Sequence, residues 1–396
     1  MAEQKQYERQ LVAILFLVWG IVFLDRMSVL FLAPFIVPEL HLSNSQVGLL
    51  ASVLSITWAF SGLLFGAMSD RYGRKRVFLP LLFVFAAASW CTGVARSFAQ
   101  MLGLRALIGV DEGAVFTTLT ATMEEASARE RRGLNVGIVV SAAALISSGV
   151  GPVLLTQMAQ RLGWRSAFLL SGVPMLILGL ILAKVMKAPE ARITHPPLSQ
   201  YLSVFRYRNV LLSCIGSAGF MTWLWVMGAF APLYITQVGK GSATLAGMVI
   251  GAGGVGGFVW ALVAPGMSDR LGRKPMLVLI ALLSAMVPLI YQVPFLQLHP
   301  ALMALAGFVA NGSQAIVALV LVLIPAESVP HELAGTAIGL SSLVGEVLGG
   351  TLAPAIAGAA ADRFGLAAPL WIAAGGCFVV CLAALGIKET SPARGA

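Results

Sequence analysis

The sequence predicts an all-α membrane protein with twelve transmembrane helices, arranged as two six-helix halves related by a parallel repeat. Three observations predict this fold class: an apolar composition, twelve long apolar runs and an internal repeat. Hydrophobic residues make up 58% of the 396-residue chain and charged residues only 11%, whereas soluble chains are nearer half apolar and a quarter charged. The composition therefore excludes an ordinary soluble domain.

Twelve apolar runs are long enough to cross a hydrocarbon core of about 30 Å, which takes about 20 helical residues. The first run is too long, and too interrupted by Asp25 and Arg26, for a cleaved signal peptide, so we expect it to be a retained span. The runs cover approximately residues 11–37, 46–68, 77–97, 99–122, 134–160, 166–187, 209–237, 244–266, 275–296, 300–325, 334–360 and 367–387.

The distribution of lysine and arginine predicts the orientation of the chain. Of the 26 Lys and Arg residues, 19 fall in the termini and loops on the side of the N-terminus, five in loops on the other side and two within spans. Because cytoplasmic loops are enriched in positive charge, both termini are expected in the cytoplasm of a plasma membrane, most simply a bacterial inner membrane. The net charge of +9 therefore reflects sidedness, and we expect no nucleic-acid partner.

A polar interval and a sequence repeat divide the chain at its midpoint. We expect an N-terminal six-helix half over 1–187, a cytoplasmic linker over 188–208 and a C-terminal six-helix half over 209–396. The segment Met68–Lys75 recurs as Met267–Lys274 with seven of eight positions identical, and Glu125 recurs 202 residues later as Glu327. Recurrence in the same order predicts two parallel structural repeats.

The twelve spans, the repeat and the loops after spans two and eight together resemble the major facilitator superfamily over essentially the whole chain. The first loop matches the superfamily pattern G-x-x-x-D-R-x-G-R-[RK], while the second has Pro265 in place of the first glycine. The resemblance implies a transporter whose loops act as a latch, with a carboxylate near a helix N-terminus and arginines paired with acids. The alternative is simple positive-inside anchoring. The predicted gating residues are Gly66, Asp70, Arg71, Gly73, Arg74, Asp269, Arg270 and Arg273.

Charged residues at span depth are candidates for function because each costs about 2.5–3.5 kcal/mol to insert at a helix centre. Arg105 and Glu112 are seven residues apart, so they share one helix face about 10 Å apart along the axis. This spacing leads to the hypothesis that protonation of Glu112 frees Arg105 for a substrate. The six charged residues at span depth are Asp25, Arg26, Arg105, Asp111, Glu112 and Glu346.

Two further strings resemble the anion:cation symporter family within the superfamily. Leu24-Asp25-Arg26 matches its L-D-R signature, and residues 105–112 match R-x-L-x-G-x-x-E. The resemblance implies that Arg26 and Arg105 bind the substrate carboxylate and that Asp25 and Glu112 couple transport to protons. Asp111 and Glu346 lie outside the pattern, and we include both among the proton-coupling candidates. The alternative is that these charges are buried ion pairs that hold helices together.

The chemistry of arginine supports an anionic substrate independently of the family resemblance, because the planar guanidinium presents a rigid fork to a carboxylate. Polar or aromatic side chains at mid-depth are expected to complete the substrate site. We propose Asn311 and Gln314, one turn apart on the tenth span, together with Trp58 and Tyr291, although aromatic residues in spans often serve packing. The histidines have no metal-like or triad grouping, so we expect no metal, no cofactor and no enzyme.

The sequence therefore predicts a secondary active transporter that carries a small organic carboxylate anion together with protons by alternating access. Its expected partners are this substrate, protons and the lipid bilayer, and we expect a monomer. One alternative is an antiporter, either an organic anion exchanger or a drug/proton exporter, although two central arginines argue against cationic drugs. A second alternative, from another class, is a sensor that binds the substrate without transporting it.

Overall fold

The structure is a computed structural model that describes residues 2–128, 131–187, 203–330 and 333–391. Regular structure within these ranges is helical, and no strand occurs in them. The helices of the first part of the chain are α1 (Ala2–Phe31), α2 (Ala33–Leu40), α3 (Asn44–Tyr72), α4 (Arg74–Gly93), α5 (Phe98–Ala126), α6 (Arg132–Leu162) and α7 (Trp164–Val185).

The second part of the chain begins with a single 3₁₀ turn at Val204–Arg206 and continues as helices. The long segment α12 is interrupted at Asn311 and Gly312. These helices are α8 (Arg208–Val238), α9 (Ala243–Leu271), α10 (Arg273–Ile290), α11 (Pro294–Leu298), α12 (Pro300–Glu327), α13 (Ala334–Phe364) and α14 (Ala367–Gly386).

Eleven helices within the described residues are long and apolar enough to cross a membrane. Helix α5 corresponds to the remaining predicted span and is 29 residues long, but Arg105, Asp111 and Glu112 lower its apolar character. The first predicted run, 11–37, is divided, because α1 ends at Phe31 and α2 follows. Pro34 accounts for the break, since it has no backbone N–H to continue the hydrogen bonds of α1.

The chain divides into two compact units. The first unit contains Met1–Leu40 and Val53–Thr194, and the second contains His41–Ser52 and His195–Ala396. In the first unit, α1 packs against α5, α6 and α7, and α4 packs against α5 and α7. In the second unit, α8 packs against α13 and α14. Of the predicted linker 188–208, residues 188–202 lie outside the described ranges.

The sequence repeat reappears in the backbone of each unit. Gly73 and Gly272, which precede α4 and α10, have φ angles of 92° and 106°. These left-handed conformations favour glycine because a Cβ would crowd the backbone. Pi-helical turns also recur 202 residues apart, at Ala143–Val150 in α6 and Gly345–Leu352 in α13. Such turns are rare in proteins overall, and those that occur are often found at functional sites.

Candidate functional site

Asp25 lies at the centre of a buried hydrogen-bond cluster in the first unit and is 0% exposed. Its Oδ1 atom accepts hydrogen bonds from Ser89 Oγ on α4 at 2.6 Å and from Ser171 Oγ on α7 at 2.9 Å. Arg105, on α5, donates from Nη2 to the backbone oxygen of Asp25 at 3.2 Å and from Nη1 to that of Arg26 at 3.5 Å. The cluster therefore joins α1 to three other helices.

Arg26 points to a different group of side chains. Its Nη1 atom lies 3.7 Å from Glu112 Oε2, and Arg26 and Glu112 are 2% and 0% exposed. The guanidinium carbon lies 5.2 Å from the ring centre of Trp58 and 5.6 Å from that of Phe23, within the range of cation–π attraction. Arg26 is thus held between an acid and two aromatic faces.

Two further aromatic rings extend the surface around Arg26. Phe116 of α5 lies 5.7 Å from Trp58 and 4.8 Å from Trp19, measured between ring centres, and Trp19 lies 5.7 Å from Phe23. We call Trp19, Phe23, Trp58 and Phe116 the aromatic cluster. Spacing along one helix did not reveal it, because its four rings come from three helices.

Asp111 is 1% exposed, and neither of its carboxylate oxygens has a hydrogen-bond partner within the described residues. Its neighbour Glu112 faces Arg26 instead. Burial of a carboxylate without a hydrogen-bond partner costs free energy, so Asp111 stands out as a polar group that helix packing alone does not explain. Within the part of the chain that the structure describes, no three His, Cys, Asp or Glu side chains are grouped so as to hold a metal ion.

The structure brings four predicted charges together but pairs them differently from the spacing argument. Residue spacing placed Arg105 and Glu112 on one face of α5, and the hypothesis matched them with each other. In the structure Glu112 lies against Arg26, while Arg105 donates to backbone oxygens of α1. The reason is tertiary: α1 packs against the same face of α5, so its arginine is nearer to Glu112 than a side chain two turns away.

Glu346 in the second unit is 4% exposed and lies in the π-helical part of α13. Trp225 on α8 donates its indole N–H to Glu346 Oε2 at 3.2 Å. The sequence alone did not indicate a partner for this acid, and the Trp225 indole is one such partner. Trp225 was missed because it is 121 residues away in the chain and its side chain carries no charge.

Asn311 and Gln314 do not lie on one continuous helix turn, so that part of the prediction is wrong. The helix ends at Ala310 and resumes at Ser313, whose N–H donates to Asn311 Oδ1 at 3.1 Å. At the break the chain packs closely against α10, because a Cβ on Gly312 would lie 3.0 Å from Ile280 Cβ and 3.2 Å from the Ile280 backbone oxygen. The Asn311 side chain therefore accepts a hydrogen bond from the first residue of the resumed helix, and Gln314 packs near Gly257 of α9.

Tyr291 directly follows α10 and is 3% exposed. Its backbone oxygen accepts a hydrogen bond from Gln297 Nε2 at 2.9 Å, and its ring lies beside Gly307 of α12. These contacts belong to helix packing in the second unit. The described contacts of Tyr291 do not include any of the buried charges.

The first predicted latch loop contains an arginine that pairs across helices. Arg74 Nε donates to Glu125 Oε1 of α5 at 3.0 Å, and Arg74 Nη1 donates to Ser69 Oγ. Arg71 is exposed and lies over the Tyr72 ring. No atom lies within 4 Å of a Cβ built on Gly66, and the Asp70 side chain lies outside the described part of the structure.

The second loop repeats this arrangement with more contacts. Arg273 donates to Glu327 from Nε at 3.2 Å and from Nη2 at 2.7 Å, and it also contacts Asp269 and Ser268. Arg270 is exposed. Glu125 and Glu327 are thus the acids that pair with the arginines of the two loops. Their recurrence 202 residues apart was the sequence signal that indicated them.

Residues 15–352 match the family described as the Major Facilitator Superfamily. The chain belongs to this superfamily. Membership confirms the predicted twelve-helix fold and a multi-pass membrane transporter that is not an enzyme. Among solved structures, the superfamily fold aligns with a bacterial homologue of the human lysosomal transporter Spinster at a TM-score of 0.75, with 16% identity and 96% of both chains covered.

Two curated superfamily proteins are similar in sequence to the chain. A probable 4-methylmuconolactone transporter of Cupriavidus pinatubonensis is 28% identical over 342 residues, which cover 84% of this chain and 79% of the relative. The 4-hydroxybenzoate transporter of Pseudomonas aeruginosa is 27% identical over 187 residues, 47% of this chain and 41% of the relative. The second match spans less than half of that relative's length.

Proposed function

We propose that this superfamily member imports a small organic carboxylate anion together with protons. The observation that carries the proposal is the pair of buried arginines, Arg26 and Arg105, set among three buried acids of the first unit. Two guanidiniums at span depth suit an anionic substrate, since arginine binds carboxylates in a planar, bidentate manner. The acids supply groups on which a proton can balance the charge that the substrate brings.

Arg26 is the proposed primary ligand of the substrate carboxylate. It lies 3.7 Å from Glu112, a separation longer than a direct hydrogen bond, so a substrate carboxylate competes for it with Glu112. Protonation of Glu112 weakens its hold on Arg26 and favours substrate binding. Arg105, through its bonds to the backbone of α1, keeps positive charge beside the site.

The aromatic cluster supports an aromatic or partly apolar substrate body. Trp58 and Phe23 flank the Arg26 guanidinium, and offset aromatic stacking contributes about 0.5–1.5 kcal/mol per ring pair beyond area burial. The relative from Pseudomonas aeruginosa is named for 4-hydroxybenzoate, an aromatic carboxylate. We therefore propose aromatic monocarboxylates before sugar acids as the substrate class.

Asp25, Asp111, Glu112 and Glu346 are the proposed proton-coupling acids. The three in the first unit lie on α1 and α5, the helices that also carry the two arginines. Glu346 differs, because an indole N–H faces it and it lies in a π-helical turn. We propose that Glu112 sets the coupling and that the other acids adjust the number of protons.

We propose a bacterial inner-membrane location, cytoplasmic termini, a monomer, and halves spanning 1–187 and 209–396 joined by the 188–208 linker. The excess of lysine and arginine on one side supports the orientation. The contacts of Arg74 with Glu125 and of Arg273 with Glu327 support a latch role for the two loops, with Asp70, Arg71, Asp269 and Arg270 as their other charged members.

The test uses purified protein in liposomes with radiolabelled 4-hydroxybenzoate as the probe, after a thermal-shift screen of aromatic acids, sugar acids, dicarboxylates and cations. Wild-type protein is expected to accumulate the probe when the outside is acidic, by roughly tenfold per pH unit for each proton carried. Glu112→Gln is expected to retain exchange of internal for external probe but to lose accumulation. Glu124→Gln, an exposed acid on the same helix, is the matched control.

Four results would overturn the proposal or part of it. Accumulation by Glu112→Gln at the wild-type rate would exclude Glu112 as the coupling acid. Exchange without any gradient-driven accumulation in the wild-type protein would identify an anion exchanger, and stabilisation by cations alone would exclude an anion carrier. Binding without entry of the probe would identify a sensor.

A further inference from the structure

Four oxygen atoms from three helices, one of them Asp25 Oδ1, form a buried cluster. Ser89 Oγ lies 2.6 Å from Asp25 Oδ1, 3.1 Å from the backbone oxygen of Phe168 and 2.8 Å from Ser171 Oγ. Ser171 Oγ lies 2.9 Å from Asp25 Oδ1 and 3.0 Å from the same Phe168 oxygen. The residues of this oxygen cluster are 0–8% exposed, so water does not provide alternative partners.

Each serine hydroxyl in the oxygen cluster has three acceptors within reach, namely Asp25 Oδ1, the Phe168 oxygen and the other hydroxyl, but only one proton to donate. When Asp25 is ionised, both hydroxyls can donate to Oδ1. When Asp25 is neutral, its new O–H can donate from Oδ1 to a serine oxygen, and the displaced hydroxyls can turn to the Phe168 carbonyl. Every donor therefore keeps an acceptor in both protonation states of Asp25. A buried polar group left without a partner costs about 1–3 kcal/mol, and this arrangement avoids that cost.

We propose that Ser89 and Ser171 are positioning residues that allow Asp25 to bind and release a coupling proton. In this step Asp25 Oδ1 takes one proton from a hydronium ion, so one O–H bond of hydronium breaks, leaving water, as the carboxyl O–H bond forms. The two hydroxyls rotate from Oδ1 to the Phe168 oxygen. Release reverses the rotation. This inference rests on the proposed proton-coupled function and names the groups that make Asp25 suitable for it.

The charges around Asp25 are compatible with this role. The Arg105 side chain of α5 faces it and is bound to the α1 backbone oxygens, so its position does not depend on the proton. Arg26 and Glu112 form their own pair. Helices α4 and α7 contribute the two serines. Asp25 Oδ2 has no hydrogen-bond partner within the described residues, so both side-chain hydrogen bonds to the carboxyl group are made at Oδ1.

The experiment follows the carboxyl band of Asp25 directly, without a substrate. Infrared difference spectra of the purified, lipid-reconstituted protein are recorded across a pH titration, and the band missing from Asp25→Asn is assigned to Asp25. Hydrogen bonds to a charged group favour the charged form, so their loss in Ser89→Ala and Ser171→Ala is expected to raise the titration midpoint by about one pH unit each. Ser89→Thr and Ser171→Thr retain the hydroxyl and are expected to restore the midpoint.

Thr92→Val is the matched control. Thr92 is a buried hydroxyl on α4 that donates to its own helix at Ala88, and its removal is expected to leave the Asp25 midpoint unchanged. Thermal stability of each variant is measured in parallel, so that a folding defect is distinguished from a shift in titration. A loss of stability with an unchanged midpoint would show that the serines are merely structural and would overturn the inference.

Other results separate this inference from the proposed function. The inference would be overturned if no infrared band of Asp25 changed with pH. It would also be overturned if the titration midpoint shifted with Na⁺ but not with choline, because the four oxygens would then be assigned to a sodium ion. If the serine variants shift the midpoint but Asp25→Asn still accumulates the probe with the pH gradient, the hydroxyl role stands and Asp25 is removed from the coupling acids. If Asp25→Asn loses accumulation and the serine variants leave the midpoint unchanged, only this inference fails.

Discussion

Gly109 on α5 provides the sharpest test of how the site is assembled. A Cβ at this position would lie 2.1 Å from Thr57 Oγ1 and 2.4 Å from the Leu54 backbone oxygen of α3. Real Cβ contacts are longer than 3.0 Å, and the obstacle is partly backbone, so Gly109→Ala must push the two helices apart. Because α5 also carries Arg105 and Glu112, the displacement reaches the charged site.

The expected cost of Gly109→Ala follows from two opposing effects. Overpacking a well-packed contact costs about 1–3 kcal/mol, and replacing glycine by alanine in a helix recovers up to about 1 kcal/mol. Gly103→Ala, on the same helix, has nothing within 4 Å of the new methyl group and receives only the helical gain. The predicted difference between the two variants is therefore about 1–3 kcal/mol.

Thermal unfolding of the two variants in detergent, with probe uptake in liposomes, measures this difference. With roughly 2–4 °C per kcal/mol for a unit of this size, Gly109→Ala is expected to melt several degrees below Gly103→Ala and to lose uptake. Equal melting temperatures would refute the argument that α3 and α5 are in backbone contact at Gly109. Lower stability with wild-type uptake would refute the link between this contact and the site.

Two further predictions concern the second loop. The Arg273 side chain is 4% exposed and the Arg74 side chain is 16% exposed. Arg273→Ala is therefore expected to lower the free energy of unfolding more than Arg74→Ala, by about 1–3 kcal/mol, and so to have the lower thermal midpoint; equal midpoints would contradict this ranking. Burial alone would raise the pKa of Glu389, but its carboxylate accepts backbone N–H groups of Arg273, Lys274, Thr390 and Ser391, which hold its pKa below the usual value. Its stabilisation is therefore present above the ordinary glutamate pKa of about 4.3 and is lost as pH falls through the lower folded value. Glu389→Gln is expected to be less stable than wild type at pH 7, and the difference in stability is expected to shrink as the pH falls below the ordinary glutamate pKa. A difference that does not change with pH would contradict this prediction.

Much of the fold could be predicted because membrane helices have a strong local signal. Each apolar run is long enough to satisfy its own backbone hydrogen bonds in lipid, so span positions follow from the sequence alone. The repeated loop likewise predicted matched backbone conformations, and Gly73 and Gly272 share the same left-handed geometry. The break at Asn311 was missed because no periodicity marks it, and the close approach of Gly312 to Ile280 at this point is a contact with another helix.

The sequence predicted which charged residues belong to the candidate site better than it predicted which of them contact one another. Asp25, Arg26, Arg105 and Glu112 were identified because charges at span depth are costly and stand out in an apolar run. Ser89, Ser171 and Trp225 were not, since uncharged serine and tryptophan are ordinary residues of a transmembrane helix. Their roles arise from the acid that each one faces on a different helix.

The sequence by itself determined the number of spans, the two-fold repetition, the superfamily and the set of buried charges, because these depend on local composition and on identities within short segments. Only the tertiary structure decided that Glu112 pairs with Arg26, that Arg105 is bound to the backbone of α1, and that two serines share one oxygen of Asp25. Helix packing sets which faces meet, and hydrogen bonds and ion pairs act only over a few ångströms. Partners in such contacts are therefore chosen by packing and not by spacing along the chain.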